Sequence, residues 1–133
     1  MIRILLLTFV LVFSFQLQAA DDVEEQVIVE FVIEAGTGED PWNTEETAIK
    51  APMGSIIRFI NDDDIRHRLH TNGAPCSHGP NFDPGETWDC EVTKQFSSEE
   101  SGPLYDHNFG SKAEVWIEIT DDYLDEEEVE TED

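Results

Sequence analysis

Apolar and polar positions alternate with a period of two in four stretches of the chain. Val27, Val29, Phe31 and Ile33 alternate with Ile28, Glu30, Val32 and Glu34, which marks a strand with one buried face. Gly36 and Gly38 end it. After the turn residues Pro52-Met53-Gly54, the stretch Ser55 to Ile60 sets Ile56, Arg58 and Ile60 against Ile57 and Phe59, a second strand. Glu86 to Val92 turns Trp88, Cys90 and Val92 inward and Thr87, Asp89 and Glu91 outward. The cleanest alternation comes last, with Ala113, Val115, Ile117 and Ile119 against Glu114, Trp116, Glu118 and Thr120. Thr47 to Lys50 fits a short strand, and Arg66 to Thr71 an extended segment.

The segments between are turn chemistry. Gly36 to Asn43, Asn61 to Asp64, Asn72 to Gly85 and Ser97 to Gly102 carry Gly, Pro, Asn, Asp and Ser without a period, and Tyr105 to Gly110 reads as a polar turn leading into the last strand. No helical period exceeds two turns, and no repeat is present. Short strands at this spacing in about 100 residues predict an all-β fold, an antiparallel two-sheet Greek-key sandwich over residues 21–120.

The two ends stand apart from that domain. Arg3, the apolar run Ile4 to Phe15 and the small residues Ala19 and Ala20 read as a secretory signal peptide over residues 1–20, since the run is short of the roughly 20 residues that a spanning helix needs. Residues 121–133 hold mostly acids, with Tyr123, Leu124 and Val129 as their apolar content, and read as a disordered acidic tail. The expected compartment is the periplasm or the secreted space, with no membrane insertion after cleavage.

The chain has 31 acidic residues against 7 basic ones, a formal charge of −24. Such a surface repels phosphates and anionic headgroups, so nucleic acid and peripheral membrane partners are excluded, while metal ions and basic proteins stay open. In an oxidising compartment the two cysteines, Cys76 and Cys90, are candidates for a disulfide, which would add about 3 kcal/mol by restricting the unfolded chain.

All four histidines lie between residues 67 and 107, and His67, His70 and His78 fall within twelve positions, together with Cys76. Neutral imidazole and thiolate are ligands for copper and zinc rather than for calcium or magnesium. Cys76-Ser77-His78 can supply one of each, so Cys76 has two competing uses, metal ligand or disulfide partner of Cys90. No nucleophile elbow, phosphate-cradling glycine loop or His-Glu-x-x-His helix occurs, and no catalytic residue is assigned.

The segment Gly54-Ser55-Ile56-Ile57-Arg58-Phe59-Ile60-Asn61-Asp62-Asp63-Asp64-Ile65-Arg66-His67 resembles the first copper-ligand region of cupredoxins of the plastocyanin and azurin type, where His follows Asn by six positions. Pro84-Gly85-Glu86-Thr87-Trp88 and the stretch from Gly102 to Ile119 are similar to later parts of that family, so the resemblance covers most of residues 27–120. It implies a β-sandwich holding one copper ion, with His67 at the first His position and His107 where the family has Cys. The chain departs from the family in having no Cys, further His or Met after His107. Met53 precedes the strand that ends near His67 and sits at the opposite pole. His70, Cys76 and His78 are additions of this chain.

These readings lead to an expected exported copper-binding protein that holds one copper ion through a His-rich site for copper handling, with a basic redox or copper-transfer protein as a candidate partner. The alternative is a one-electron carrier with Cys76 as thiolate ligand. No enzymatic activity is assigned, and a copper-dependent oxidoreductase is the remaining enzyme class.

Overall fold

The computed structural model describes residues 25–121; the expected signal peptide and nearly all of the acidic tail lie outside the described residues. Eight strands and two short helical turns follow one another: β1 (Ile28–Ile33), a 3-10 turn (Glu45–Thr47), β2 (Ile49–Pro52), β3 (Ile56–Asn61), β4 (Leu69–His70), β5 (Thr87–Glu91), α1 (Ser98–Ser101), β6 (Leu104–Asp106), β7 (Gly110–Val115) and β8 (Ile117–Thr120). No helix among the described residues is long and apolar enough to cross a membrane.

Strands β1, β3 and β5 form one sheet in the order β1-β3-β5. The other layer is built from β4-β6-β7 and β2-β8, which meet where β7 runs on into β8. Ile33, Ile57, Phe59 and Cys90 from the first sheet share one core with Ile49, Ala51, Leu69, Val115 and Ile117 from the second. The fold is the expected all-β sandwich, and the alternating residues are its interior.

Strand direction differs from the purely antiparallel expectation. β1 pairs with β3 in parallel, Phe31 opposite Phe59, and β2 pairs with β8 in parallel, Ala51 opposite Ile119. The chain between β1 and β3 crosses to the other sheet as β2 and returns, and such a crossover brings a strand back in the same direction. β3·β5, β4·β6 and β6·β7 are antiparallel.

Two further differences have local causes. The last apolar alternation is divided at Trp116, whose N–H donates to Asn43 Oδ1 at 2.7 Å and whose carbonyl accepts from Asn43 Nδ2 at 2.9 Å. One side chain thus takes the place of a strand neighbour, and β7 and β8 pair with different strands. The connector 97–102 contains a four-residue helix capped by Ser97, whose Oγ accepts from the Glu100 N–H.

Candidate metal centre

The pole that carries the histidines is built from β4, the loop after it, and the hairpin between β6 and β7. β4 pairs with β6 so that His70 lies opposite Tyr105, and the two rings stack with centroids 4.5 Å apart. His107 follows β6 directly, and its N–H donates to the Arg68 carbonyl at 2.7 Å. His78 comes from the loop that follows β4, where its Nδ1 lies 3.1 Å from the Thr71 N–H nitrogen and 3.2 Å from the Thr71 carbonyl oxygen.

This brings His70, His78 and His107 together. Their ligating nitrogens lie within 4.8 Å of one another, and no carboxylate belongs to the set. His70 Nδ1 and His107 Nδ1 stand 3.1 Å apart, close to the ~3.3 Å that two nitrogens ~2.0 Å from a tetrahedral ion would keep. His70 and His78 are half-buried and His107 is exposed, so the group opens to solvent on one side. His70 is held below its ordinary pKa by burial and by the like charges of His78 and His107, which favours the neutral, ligating form. With a metal on His78 Nε2, Nδ1 must carry the proton and donate to the Thr71 carbonyl, the usual outer support of a ligating imidazole.

The other expected site residues are placed elsewhere. His67 is fully buried; its Nδ1 bonds Asp106 Oδ2 at 2.5 Å and its Nε2 bonds Asp63 Oδ2 at 2.9 Å. With a carboxylate at each nitrogen, both nitrogens act as donors and no lone pair is left for a metal, so the structure separates His67 from the ligand position that the resemblance implied. Burial opposes its charge, but the bonds to Asp106 and Asp63 prevail and raise its pKa. Trp42, Phe82 and Phe109 surround the ring, with centroids 5.5, 6.5 and 6.0 Å away.

Asp63 extends this buried network, because its carboxylate also accepts from the N–H groups of Gly36 and Gly38 at 3.0 and 2.8 Å. Both glycines have positive φ, a conformation that costs Gly little. Burial raises the Asp63 pKa, but hydrogen bonds from His67 and the amides of Asp64, Gly38 and Gly36 outweigh it and hold it at about 2.

Cys76 is bonded to Cys90, with Cα atoms 5.6 Å apart, and neither cysteine is free. The sulfur that would have served as a thiolate is therefore consumed, which overturns Cys76 as a ligand and the thiolate form of the electron carrier. Met53 is exposed in the turn before β3. Asp63 and Asp106 are the important residues that sequence reading missed. The one available signal was their spacing from histidine, Asp63 four positions before His67 and Asp106 next to His107.

An imidazole set without thiolate or carboxylate suits Cu(II), Zn(II) or Ni(II) and does not suit calcium or magnesium. The site is a candidate copper-binding centre in which His70, His78 and His107 would hold the ion, with His107 exposed.

No family model and no curated protein matches the chain. Among solved structures it is similar to a purple cupredoxin from Nitrosopumilus maritimus, at 16% identity, covering 69% of this chain and 99% of that one, with a TM-score of 0.49. A Cu(I) form of an amicyanin variant is 10% identical over 71% of this chain and 82% of its own, at 0.49. A reduced amicyanin variant is 13% identical over 77% and 87%, also at 0.49.

Proposed function

We propose that the chain binds one copper ion through His70, His78 and His107 and serves in copper handling in an exported compartment, with residues 1–20 as signal peptide and 121–133 as a cation-attracting tail. The observation that carries this reading is the convergence of three ligating nitrogens within 4.8 Å, with no acid among the described residues belonging to the set. Among divalent ions that accept imidazole, copper binds most tightly, so a site of this composition favours Cu(II) over zinc or nickel. An exposed third ligand suits uptake and release, since an incoming ligand can reach the ion without unfolding the core. A basic protein that accepts copper is the partner this charge favours. No catalytic residue is proposed.

Copper titration of the chain, purified without a His tag, tests this by visible absorption and electron paramagnetic resonance. One equivalent with a weak visible band and nitrogen hyperfine structure is expected, and His70→Ala, His78→Ala and His107→Ala should each weaken it. An intense charge-transfer band would indicate thiolate and overturn the all-imidazole site; failure to bind would remove the metal function.

A further inference from the structure

The buried Asp63–His67–Asp106 network has no place in the ligand set, yet Asp106 adjoins it, next to His107 in the chain and opposite Leu69, the neighbour of His70, in the sheet. Asp106 Oδ2 holds His67, and Asp106 Oδ1 faces the other way, accepting from the Asn108 N–H at 2.9 Å and from the Arg68 N–H at 3.3 Å. These two amides belong to the two backbone segments that carry His70 and His107. Asn108 follows His107 in the hairpin, and Arg68 stands two positions before His70, just ahead of the neighbouring strand. The His107 N–H donates back to the Arg68 carbonyl at 2.7 Å. One fully buried carboxylate therefore joins the backbone segment that carries His70 to the segment that carries His107, and His67, fixed from behind by Asp63, keeps that carboxylate from turning.

We propose that Asp106 is the positioning residue of the metal centre: its Oδ1 clasps the backbone around Arg68 and Asn108, and its Oδ2, locked by His67, holds the clasp in register, so that His70 and His107 meet at ligand spacing. This rests on the reading of the trio as copper ligands. The hairpin has an irregular register between Tyr105 and Asp106, so that on the β7 side the ladder does not fix where His107 stands, and the single backbone bond to Arg68 is its tie on the other side. β4 is only two residues long and fixes little more. The clasp supplies what these short elements lack.

Asp106→Asn keeps an acceptor oxygen for the two amides and loses the charge, with His67 neutral, its proton on Nε2 facing Asp63 and its Nδ1 accepting from the Asn NH2, whereas Asp106→Ala loses both. Cu(II) affinity measured by chelator competition, with the nitrogen hyperfine pattern as signature, separates the two roles. Asp106→Asn is expected to bind within about threefold of the parent, and Asp106→Ala roughly 10–100-fold more weakly with an altered pattern, the usual effect of losing an outer support of a metal ligand. A folded Asp106→Ala with parental affinity and spectrum overturns the proposal, as does an Asp106→Asn that loses as much as Ala. If Asp106→Ala does not fold, Asp106→Asn decides: near-parental affinity with exchange-protected Arg68 and Asn108 amides supports the clasp, and a tenfold loss overturns it. The nuclear Overhauser contact between the His70 and His107 rings, followed without metal, keeps the two readings apart. Loss of that contact in Asp106→Ala, in a chain that takes up no copper, retains the clasp and removes the copper function.

Discussion

His67 Nδ1 and Asp106 Oδ2 lie 2.5 Å apart with neither side chain exposed, and Asp63 holds the opposite ring nitrogen at 2.9 Å. This arrangement ties stability to pH from both sides. His67 has a raised pKa, so its contribution is complete below about 6.5 and is lost as pH rises through the raised value. Asp63 is lowered from 3.8 to about 2, so its contribution is complete above 3.8 and is lost as pH falls through about 2.

The acid side gives a measurable difference. Chemical denaturation of the parent between pH 4 and pH 2 should show a loss of about 2 kcal/mol attributable to Asp63. Asp63→Asn should be less stable at pH 5 and should lack that part of the acid limb. Parallel acid limbs in the two proteins would mean that Asp63 is not held in the charged form.

The disulfide predicts a thiol count and a stability. Native protein trapped in denaturant should show no free thiol, and Cys76→Ser with Cys90→Ser should unfold at lower denaturant, by about 3 kcal/mol. The pair also anchors the loop that carries His78, since the Thr71 hydroxyl donates to the Cys76 carbonyl at 2.8 Å and the Thr71 backbone faces His78. Copper affinity should fall in the double variant while the spectrum stays free of an intense band. Two reactive thiols in the native protein would contradict this account.

The parts of the fold that were legible in sequence are those where apolar residues alternate. Ile57 and Phe59 in β3, and Val115 and Ile117 across β7 and β8, could be read because water exclusion alone decides their faces. β6 was hidden because one of its inward residues is Asp106, and an acid in a short polar segment reads as a turn until its partner, His67, is known. The break at Trp116 was hidden for a related reason: its cause is a distant side chain, Asn43. At the site, the histidine cluster was visible in the spacing of 67, 70 and 78, with His107 near the last strand. Which histidine would be taken by carboxylates was not, because Asp63 and Asp106 are two among 31 acids and only the fold brings them to His67.

Gly79 follows His78 at a place where a side chain would be tightly held. A Cβ there would stand 3.1 Å from the Trp88 ring and 3.3 Å from the Leu69 carbonyl oxygen. Trp88 is stacked on Phe59 at 5.5 Å and cannot readily yield. Gly79→Ala should therefore cost about 1–3 kcal/mol of stability, and it should weaken copper binding by displacing His78. A variant with parental stability and affinity would show that the loop has room to move.

Asn43 gives a control that separates the fold from the metal pole. Its amide nitrogen serves the carbonyls of Trp116 and Thr47 at 2.9 and 3.3 Å, and its oxygen accepts from the Trp116 N–H. Asn43→Ala should cost about 1–3 kcal/mol, chiefly by leaving the part-buried Trp116 N–H unpaired, since the Trp116 carbonyl keeps its bond from the Ile49 N–H. Asn43→Asp should cost more, because a carboxylate oxygen would face two carbonyls. Copper affinity of the folded variants should not change, and a parallel loss of affinity would mean that this clamp also sets the ligand geometry.

His70 offers a test of the cluster that needs no metal. Burial and the neighbouring His78 and His107 lower its pKa, so in the folded, metal-free chain it should titrate below 6.5, as followed by the imidazole proton resonances. The unfolded chain then binds the proton more readily than the folded one, and stability should fall as pH drops below about 6.5. His78→Ala and His107→Ala each remove one like charge and should move the His70 midpoint upward. Copper should suppress the acid-side loss of stability for as long as the ion stays bound, because protons and metal compete for the same nitrogen. A His70 midpoint at or above 6.5, unmoved by either substitution, would mean that the three rings do not meet in solution.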